Sequence, residues 1–135
     1  MIDLEDLTFA YKGKIGKRRC YRVYHKDLLV IVYLSQKEKK LFSVKDLNTY
    51  GVAFIAEKNK DKEKFYKDQV LYLSIIFKRK IILRNLKARV IRVHHDKNIV
   101  ACEFLELTRK QEYTLDELCL LIQKELLTYK KKEKK

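Results

Sequence analysis

The chain of 135 residues is poor in the residues that interrupt or crosslink a fold, with no proline, no tryptophan, three glycines and three cysteines. An odd number of cysteines without paired spacing disfavours a disulfide scaffold and is typical of a reducing cytoplasm. No apolar run approaches the roughly 18 residues that a membrane-spanning helix needs. The first residues, MIDLEDL, carry acids where a secretion signal carries bases, so we expect a cytoplasmic protein.

Charge of one sign is in excess, because Lys and Arg number 32 against 18 Asp and Glu, which gives a formal net charge of +14. A surface this basic repels cationic partners and attracts anionic ones such as nucleic acid, nucleotides or anionic lipid. Hydrophobic residues make up 47% of the chain, enough to bury a core. We therefore expect one folded domain with an anionic partner.

Glycine is concentrated near the start of the chain, where Gly13 and Gly16 lie within the basic residues 12–19. Glycine without an apolar pattern predicts a flexible segment. The expected organisation is therefore a flexible N-terminal arm over residues 1–17, a folded domain over 18–130 and a solvated Lys-rich tail over 131–135.

Short runs rich in β-branched and aromatic residues follow the arm and predict six or seven strands. Residues 36–40 are charged and predict a hairpin loop, and residues 58–64 predict a loop or a short helix. Closely spaced short strands favour a closed or partly closed barrel, because closure removes exposed edges. The strand-like runs from which these six or seven strands are expected cover residues 21–25, 28–34, 41–47, 52–56, 70–77, 81–83, 86–93 and 98–107.

The pattern changes to helical spacing near the end of the chain, and a C-terminal helix is predicted to pack on the barrel. Thr114 and Glu117 match the spacing of a capping box at its start. The apolar residues at helical spacing are Leu115, Leu118, Cys119, Ile122, Leu126 and Tyr129.

Candidate catalytic residues are few. His94 and His95 are neighbours on a predicted strand, so their side chains point to opposite faces and do not share a metal. Neither Cys102 nor Cys119 has a ligand at zinc spacing, and Cys102 lies in an apolar run that indicates a core residue. No phosphate loop, serine elbow or HExxH motif is present. The chain is predicted to be a non-catalytic binding module without metal or cofactor.

The first cluster that suggests a ligand is basic. Arg18 and Arg22 form an RxxxR motif between the arm and the first predicted strand, with Arg19 inside it. A guanidinium can bind phosphate oxygens in bidentate fashion, address the O6/N7 edge of guanine and stack on a base. On its own, this spacing in so basic a chain more often means solvated surface charge.

The second cluster is a polar turn at the end of a strand, formed by Asp46, Asn48 and Gly51. Asp46 and Asn48 are two residues apart and face the same side of the strand. A carboxylate can accept both N1–H and N2–H of guanine, and an amide can donate and accept beside it. Gly51 permits positive φ or a close approach of ligand to the backbone. On its own, the cluster also fits an ordinary hairpin turn.

Together the two clusters resemble the PilZ domain family. Asp46 follows Arg22 by 24 positions, and an RxxxR followed by a D/N-x-S-x-x-G-like element that runs into a strand is that family's pattern. The segments ARVIRV (88–93) and VACEF (100–104) and the terminal helix extend the resemblance. It implies a mainly β fold, a six-stranded antiparallel (split) β-barrel with a C-terminal α-helix, that binds the bacterial second messenger cyclic di-GMP.

The resemblance also implies roles for individual residues. The arginines grip phosphate and guanine, and the residues of the second cluster hold a guanine on the barrel surface. Asn48 departs from the family pattern, which usually has serine there, and this affects affinity more than the identity of the site. Arg92 is either a stacking partner for a base or a solvated strand arginine. The implied ligand-binding residues are Arg18, Arg19, Arg22, Asp46, Asn48 and Gly51.

The expected output is a change of surface, because ligand binding would order residues 13–22 across the barrel and alter what an unidentified protein effector meets. The alternative is a small basic β-barrel that binds single-stranded nucleic acid on stacked aromatics. Against it, Phe54, Phe77 and Phe104 lie in apolar strand patterns typical of a core. A third interpretation, a PilZ-like domain that has lost its ligand, has only Asn48 in its favour.

Overall fold

The computed structural model describes residues 22–133, with side chains described through residue 126. Six strands and two helices lie in this range, and the second helix is the longest element. In chain order they are β1 (Leu28–Tyr33), β2 (Lys39–Leu47), β3 (Gly51–Ile55), α1 (Asn59–Lys62), β4 (Val70–Phe77), β5 (Lys80–His94), β6 (Ile99–Leu105) and α2 (Arg109–Glu133).

The six strands form a closed barrel. Each strand pairs antiparallel with two neighbours, and the order around the barrel is β1-β2-β3-β6-β5-β4, with β4 returning to β1. Because every strand of the closed barrel is paired on both sides, none offers a full-length unpaired edge. Such an edge could pair with a strand of another chain and lead to aggregation. The predicted mainly β, six-stranded antiparallel barrel with a C-terminal helix is confirmed.

The barrel interior is filled by the inward row of each strand. The rings of Phe42, Phe54 and Phe65 pack together, with Phe54 lying 5.0 Å from Phe42 and 5.3 Å from Phe65 between ring centroids. Each fully buried apolar side chain stabilises the fold by about 1.5–3 kcal/mol. One face of α2 completes the same core through four buried residues, Leu115, Leu118, Cys119 and Ile122.

The start of α2 differs from the prediction. The helix begins at Arg109, and its capping box is formed by Thr108 and Gln111. The Thr108 N–H donates to Gln111 Oε1 (2.9 Å), and the Gln111 N–H donates to Thr108 Oγ1 (3.0 Å). The capping box predicted at Thr114 is wrong, because Thr114 lies inside the helix and its hydroxyl donates to the Lys110 carbonyl.

Two strand predictions also need correction. In the described part of residues 21–25, only Val23 pairs with a strand, through an isolated bridge to Leu47. β1 already occupies the edge of β2 from Lys39 to Ser43, so the segment can reach only the end of β2. The two strands predicted at 81–83 and 86–93 are one strand, β5. Its break is an irregularity at Asn85, which has φ 54°.

The predicted arm (residues 1–17), together with residues 18–21, lies outside the described residues. α2 continues to Glu133, so its backbone includes the first residues of the predicted tail. The boundaries of arm, domain and tail remain predictions. Within the range that the structure describes, no helix combines the length and the apolar character that crossing a membrane requires.

Candidate ligand-binding site

The turn between β2 and β3 is organised by Asn48. Its Oδ1 accepts hydrogen bonds from the N–H groups of Tyr50 (2.7 Å) and Gly51 (2.9 Å). The Asn48 N–H in turn donates to the Gly51 carbonyl (3.0 Å). The side-chain oxygen therefore shapes the turn, as in other turns built on asparagine. The Asn48 NH2 group makes no hydrogen bond to another described residue, so it is the part of this side chain that can donate to a ligand.

Gly51 is required by packing between strands. A Cβ at this residue would lie 2.3 Å from the carbonyl oxygen of Cys102 on β6. This is backbone that pairs with β3, so the contact has no flexible side chain that can yield. The predicted need for glycine thus has a local cause: the close approach is made by a neighbouring strand.

A β-bulge turns Asp46 toward the outer surface. The pairing of β2 with β3 shifts between Val44 and Asp46, so Lys45 is an extra residue. In a regular strand Asp46 would point inward like Val44, whereas the bulge restores the inward direction at Leu47. The Asp46 side chain is one quarter exposed, and its carboxylate lies 3.9 Å from the Lys45 ammonium. The bulge therefore delivers a carboxylate to the same side as Asn48.

Arg22 reaches the same surface through the bridge at Val23. The N–H of Val23 donates to the Leu47 carbonyl (2.8 Å), and the N–H of Leu47 donates back (2.9 Å). Val23 is buried, so this point of the chain is fixed beside the end of β2. Leu47 lies between Asp46 and Asn48, and the bridge thereby joins the two clusters. Arg18 and Arg19 lie outside the described residues.

These residues line one groove of about 400 Å³ on the outside of the barrel. Such a volume falls in the range of small-molecule sites, about 300–1,000 Å³. Ala53 of β3 and Ala101 of β6 are directly paired and also line it. Their short side chains leave the space that larger outward residues would fill. From the predicted set the groove contains Arg22, Asp46, Asn48 and Gly51.

Groove residues missed as ligand candidates lie around the turn between β5 and β6. The sequence pattern tests His94 only as a metal ligand, and it does not mark Lys97, which lies in an irregular turn. Arg92 also lines the groove. It faces outward because the β5–β6 pairing shifts between Val90 and Arg92, which leaves both Ile91 and Arg92 exposed. His95 lies beyond the end of β5, so the two histidines do not share a strand.

The groove has a surplus of positive charge. Glu103 is paired with Arg89, whose Nε donates to Glu103 Oε2 (2.9 Å), and this bond raises the pKa of Arg89. Arg22, Arg92 and Lys97 form no ion pair within the described part of the chain. Such cations favour an anionic ligand because their charge is not neutralised by neighbours.

The groove offers no activated cysteine. Cys102 lines it from below and is buried, and burial raises the pKa of its thiol to about 12. A thiol with that pKa is protonated at neutral pH and is a poor nucleophile. Among the residues described, no three His, Cys, Asp or Glu side chains are grouped as a metal site would need.

The groove-side turn is tied to α2. The hydroxyl of Thr49 donates to Asp116 Oδ1 (2.6 Å), and Thr49 is buried. At the other end of the described helix, His25 Nε2 and Glu125 Oε2 are 2.9 Å apart, and Lys78 Nζ donates to Glu125 Oε1 (2.6 Å). The helix therefore contacts the chain close to both clusters.

Similarity to solved structures is found at low sequence identity. The PilZ domain of YcgR from Escherichia coli with c-di-GMP is 14% identical, with a TM-score of 0.67 over 87% of this chain and 99% of that one. The MrkH–c-di-GMP complex of K. pneumonia is 19% identical, with a TM-score of 0.61 over 89% and 56%. The Bacillus subtilis inhibitor of motility MotI/DgrA is 19% identical, with a TM-score of 0.57 over 79% and 52%.

Family membership rests on the sequence. No curated protein matches the chain. The family model of the PilZ domain matches residues 16–121, a range that contains both clusters and every strand of the barrel. This match covers most of the chain, and the folds of the solved structures agree with it. The chain belongs to the PilZ domain family.

Proposed function

We propose that the groove binds cyclic di-GMP and that the chain is a receptor which leaves its ligand chemically unchanged. The observation that carries the proposal is the convergence of Arg22, Asp46, Asn48 and Gly51 on one groove, which also contains cations that form no ion pair with any other described residue. Two similar structures, the PilZ domain of YcgR and MrkH, are complexes with c-di-GMP. The neutral thiol of Cys102 fits binding without catalysis.

The polar and charged groups of the groove can each make a contact with a guanine nucleotide. The Asp46 carboxylate accepts N1–H and N2–H of a guanine, and the NH2 group of Asn48 donates beside it. Arg22, with Arg18 and Arg19 before it, binds phosphate oxygens through its planar fork. Across the groove, the guanidinium of Arg92 stacks on a base.

Signalling is proposed to follow closure of the segment before the barrel. The bridge between Val23 and Leu47 fixes the end of residues 13–22 at the side of the groove. Contacts from Arg18 and Arg19 to bound ligand would draw that segment over the groove and change the surface there. A protein effector that meets this surface would then distinguish the free receptor from the bound one.

Calorimetric titration with cyclic di-GMP tests the proposed site. Arg22→Ala and Asp46→Ala each remove a charge-assisted contact, and each should cost about 1.5–3 kcal/mol, a loss of roughly ten- to a hundredfold in affinity. Glu57→Ala is the matched control for Asp46→Ala, because Glu57 is an exposed acid outside the groove. It should leave binding unchanged.

The sign of the Asp46→Ala effect separates this proposal from nucleic-acid binding. Removing an acid makes the protein more positive, so a general binder of polyanions should gain affinity. Deleting residues 130–135 removes five lysines and one glutamate. That deletion should weaken a polyanion binder while leaving cyclic di-GMP binding almost unchanged, because salt screens distant charges. Intact cyclic di-GMP binding in Asp46→Ala would overturn the proposed site.

A further inference from the structure

The outer surface of β1 is apolar although it faces away from the core. All six residues of β1, LLVIVY, are apolar. Leu28, Val30 and Val32 point inward and are buried, whereas Leu29, Ile31 and Tyr33 point outward and are only partly covered. A strand with water on one face normally alternates apolar and polar residues, and a strand apolar on both faces is typical of one covered on both. Something beyond the barrel is therefore expected to cover β1.

The two neighbours of β1 continue this apolar surface. Ile31 is directly paired with Leu41 of β2, Tyr33 with Tyr72 of β4, and Leu29 with Ile76 of β4. Directly paired side chains lie about 5 Å apart, so they form one surface. Leu41 is 57% exposed and Tyr72 is 48% exposed. We call this surface the β1–β4 face; it consists of Leu29, Ile31, Tyr33, Leu41, Tyr72 and Ile76.

The middle of the β1–β4 face offers little to a polar ligand. Ser74 lies beside the face, is paired with Ile31 and is fully buried, whereas Ser43 is exposed at its edge, where it is paired with Leu29. The Ser74 hydroxyl is bonded to the Tyr33 hydroxyl at 3.1 Å. None of the six side chains of the face lines the ligand groove. The face is thus separate from the groove and offers mainly apolar contacts.

The rim of this face is positively charged. Lys39 is paired with Tyr33 at one side. At the other side Arg84 lies on β5, in the irregular stretch between Leu83 and Leu86. Both are exposed and, among residues 22–126, neither takes part in an ion pair. The nearby acids Glu38 and Glu106 are already paired with Lys64 and Lys87. An occupant with carboxylates around an apolar strip would complement this arrangement.

The charge of the chain and the side-chain types of the face limit which molecules could cover it. A second copy of this chain would bring another net charge of +14 against the same basic rim, which disfavours self-association. A single-stranded nucleic acid binds by stacking on aromatic rings, whereas four of the six side chains of the face are aliphatic. We propose that the β1–β4 face docks an acidic protein segment that presents an apolar strip flanked by carboxylates. This proposal goes beyond cyclic di-GMP binding and requires no groove residue.

The test uses the full chain and a defined probe. The probe is a helical peptide of about 18 residues with leucine on one face and glutamate on the other. A second peptide has lysine in place of every glutamate. Binding is measured by fluorescence anisotropy, and the site is mapped by amide chemical shifts. Leu41→Asp places a carboxylate in the face, and Leu121→Asp is its matched control because Leu121 is 48% exposed on α2.

The expected result is that the acidic peptide binds and shifts amides of β1, β2 and β4. Leu41→Asp should weaken it about tenfold or more, since an apolar contact is replaced by like charge, while Leu121→Asp should change affinity by less than about twofold. The lysine peptide should bind at least about tenfold more weakly. Circular dichroism checks that both variants are folded.

Several outcomes would overturn the proposal. These are absence of binding by the acidic peptide, equal effects of Leu41→Asp and Leu121→Asp, or amide shifts confined to the groove. An oligothymidylate that shifts the β1–β4 amides would identify a nucleic-acid surface instead. A dimer in sedimentation velocity that Leu41→Asp dissociates would identify a second copy as the occupant. Each outcome is independent of whether cyclic di-GMP binds in the groove.

Discussion

The outside of the barrel has two halves that enclose one core and differ in the size of their outward side chains. Over β3 and β6 the outward residues Gly51, Ala53 and Ala101 are small, and a groove lies above them. Over β1 and β4, outward residues such as Ile31 and Tyr72 are large and apolar. The inward rows are apolar in both halves, so they determine the barrel, whereas the outward rows determine what each half offers to a ligand or partner.

The two halves are also attached to α2 in different ways. On the groove side, the buried Thr49 hydroxyl donates to Asp116. On the other side, Glu125 is bonded by His25, which precedes β1, and by Lys78, which follows β4. A buried hydrogen bond is costly to break because a polar group loses its partner away from water. The Lys78–Glu125 ion pair is exposed, and exposed ion pairs contribute little, because water and salt screen them.

The largest effect is expected where two neighbouring strands of the groove, β3 and β6, approach most closely. Gly51→Val places side-chain carbon against the Cys102 carbonyl, where even a Cβ would lie at 2.3 Å. β3 must then move from β6, and we expect unfolding free energy to fall by about 3 kcal/mol, together with loss of cyclic di-GMP binding. Urea unfolding measures the first effect. Ser43→Val, an outward change on β2, should be nearly neutral, and equal stability of the two variants would contradict this role of Gly51.

A second substitution would make the groove half resemble the apolar half. Ala101 is partly exposed and is paired with Ala53 and Arg92. Ala101→Leu fills the groove from its floor, so affinity for cyclic di-GMP should fall about tenfold or more. Stability should change by less than about 0.5 kcal/mol, because the new side chain points outward. Ser43→Leu adds the same side chain outside the groove and should leave the calorimetric titration unchanged.

A smaller effect is expected from the groove-side attachment of α2. Thr49→Val keeps the shape of the side chain and removes the hydrogen bond to Asp116. The loss should lower unfolding free energy by about 1–2 kcal/mol, as measured by urea unfolding. Thr114→Val is the control, because the Thr114 hydroxyl bonds the Lys110 carbonyl at the exposed surface. Equal losses in both variants would show that the part-buried Thr49–Asp116 bond stabilises the fold no more than an exposed one.

The smallest effect concerns the attachment on the other side. The Glu125 carboxylate is bonded to Lys78 and also to His25, and these bonds lower the pKa of Glu125 below its ordinary value of 4.5. The folded state therefore binds this proton less readily than the unfolded state does. Its stabilisation is present above about pH 4.5 and is lost as pH falls through the folded pKa. Glu125→Gln should flatten the acid side of the stability–pH curve slightly, and an unchanged curve would contradict this assignment.

The sequence predicted most of what lies inside the barrel. Alternation in β2 and β3, the apolar run of β1 and the helical spacing from Leu115 to Ile122 follow directly from burial. The start of α2 was misplaced because the pattern of buried residues begins at Leu115, after the helix has already made its first turn. The capping residues Thr108 and Gln111 precede the apolar residues at helical spacing, so that spacing does not predict their position.

The outward geometry of the candidate site was harder to predict. Asp46 and Arg92 face the groove because β-bulges insert Lys45 and Ile91, and one extra residue in a strand has no marker in composition. The bridge from Val23 to Leu47 depends on how far β1 covers the edge of β2, which is a property of the whole sheet. The residue types were therefore identifiable from sequence, whereas the directions of their side chains required the pairing of strands.

The comparison of the two halves is tested most directly by amide chemical shifts of the full chain during titration with cyclic di-GMP. The largest shifts are expected at Asn48, Gly51, Ala53 and Ala101, which line the groove. The amide chemical shifts of β1 residues with outward side chains, such as Ile31, should change little. Shifts centred on β1 and β4, with the groove amides unchanged, would contradict the assignment of the ligand to the groove half of the barrel.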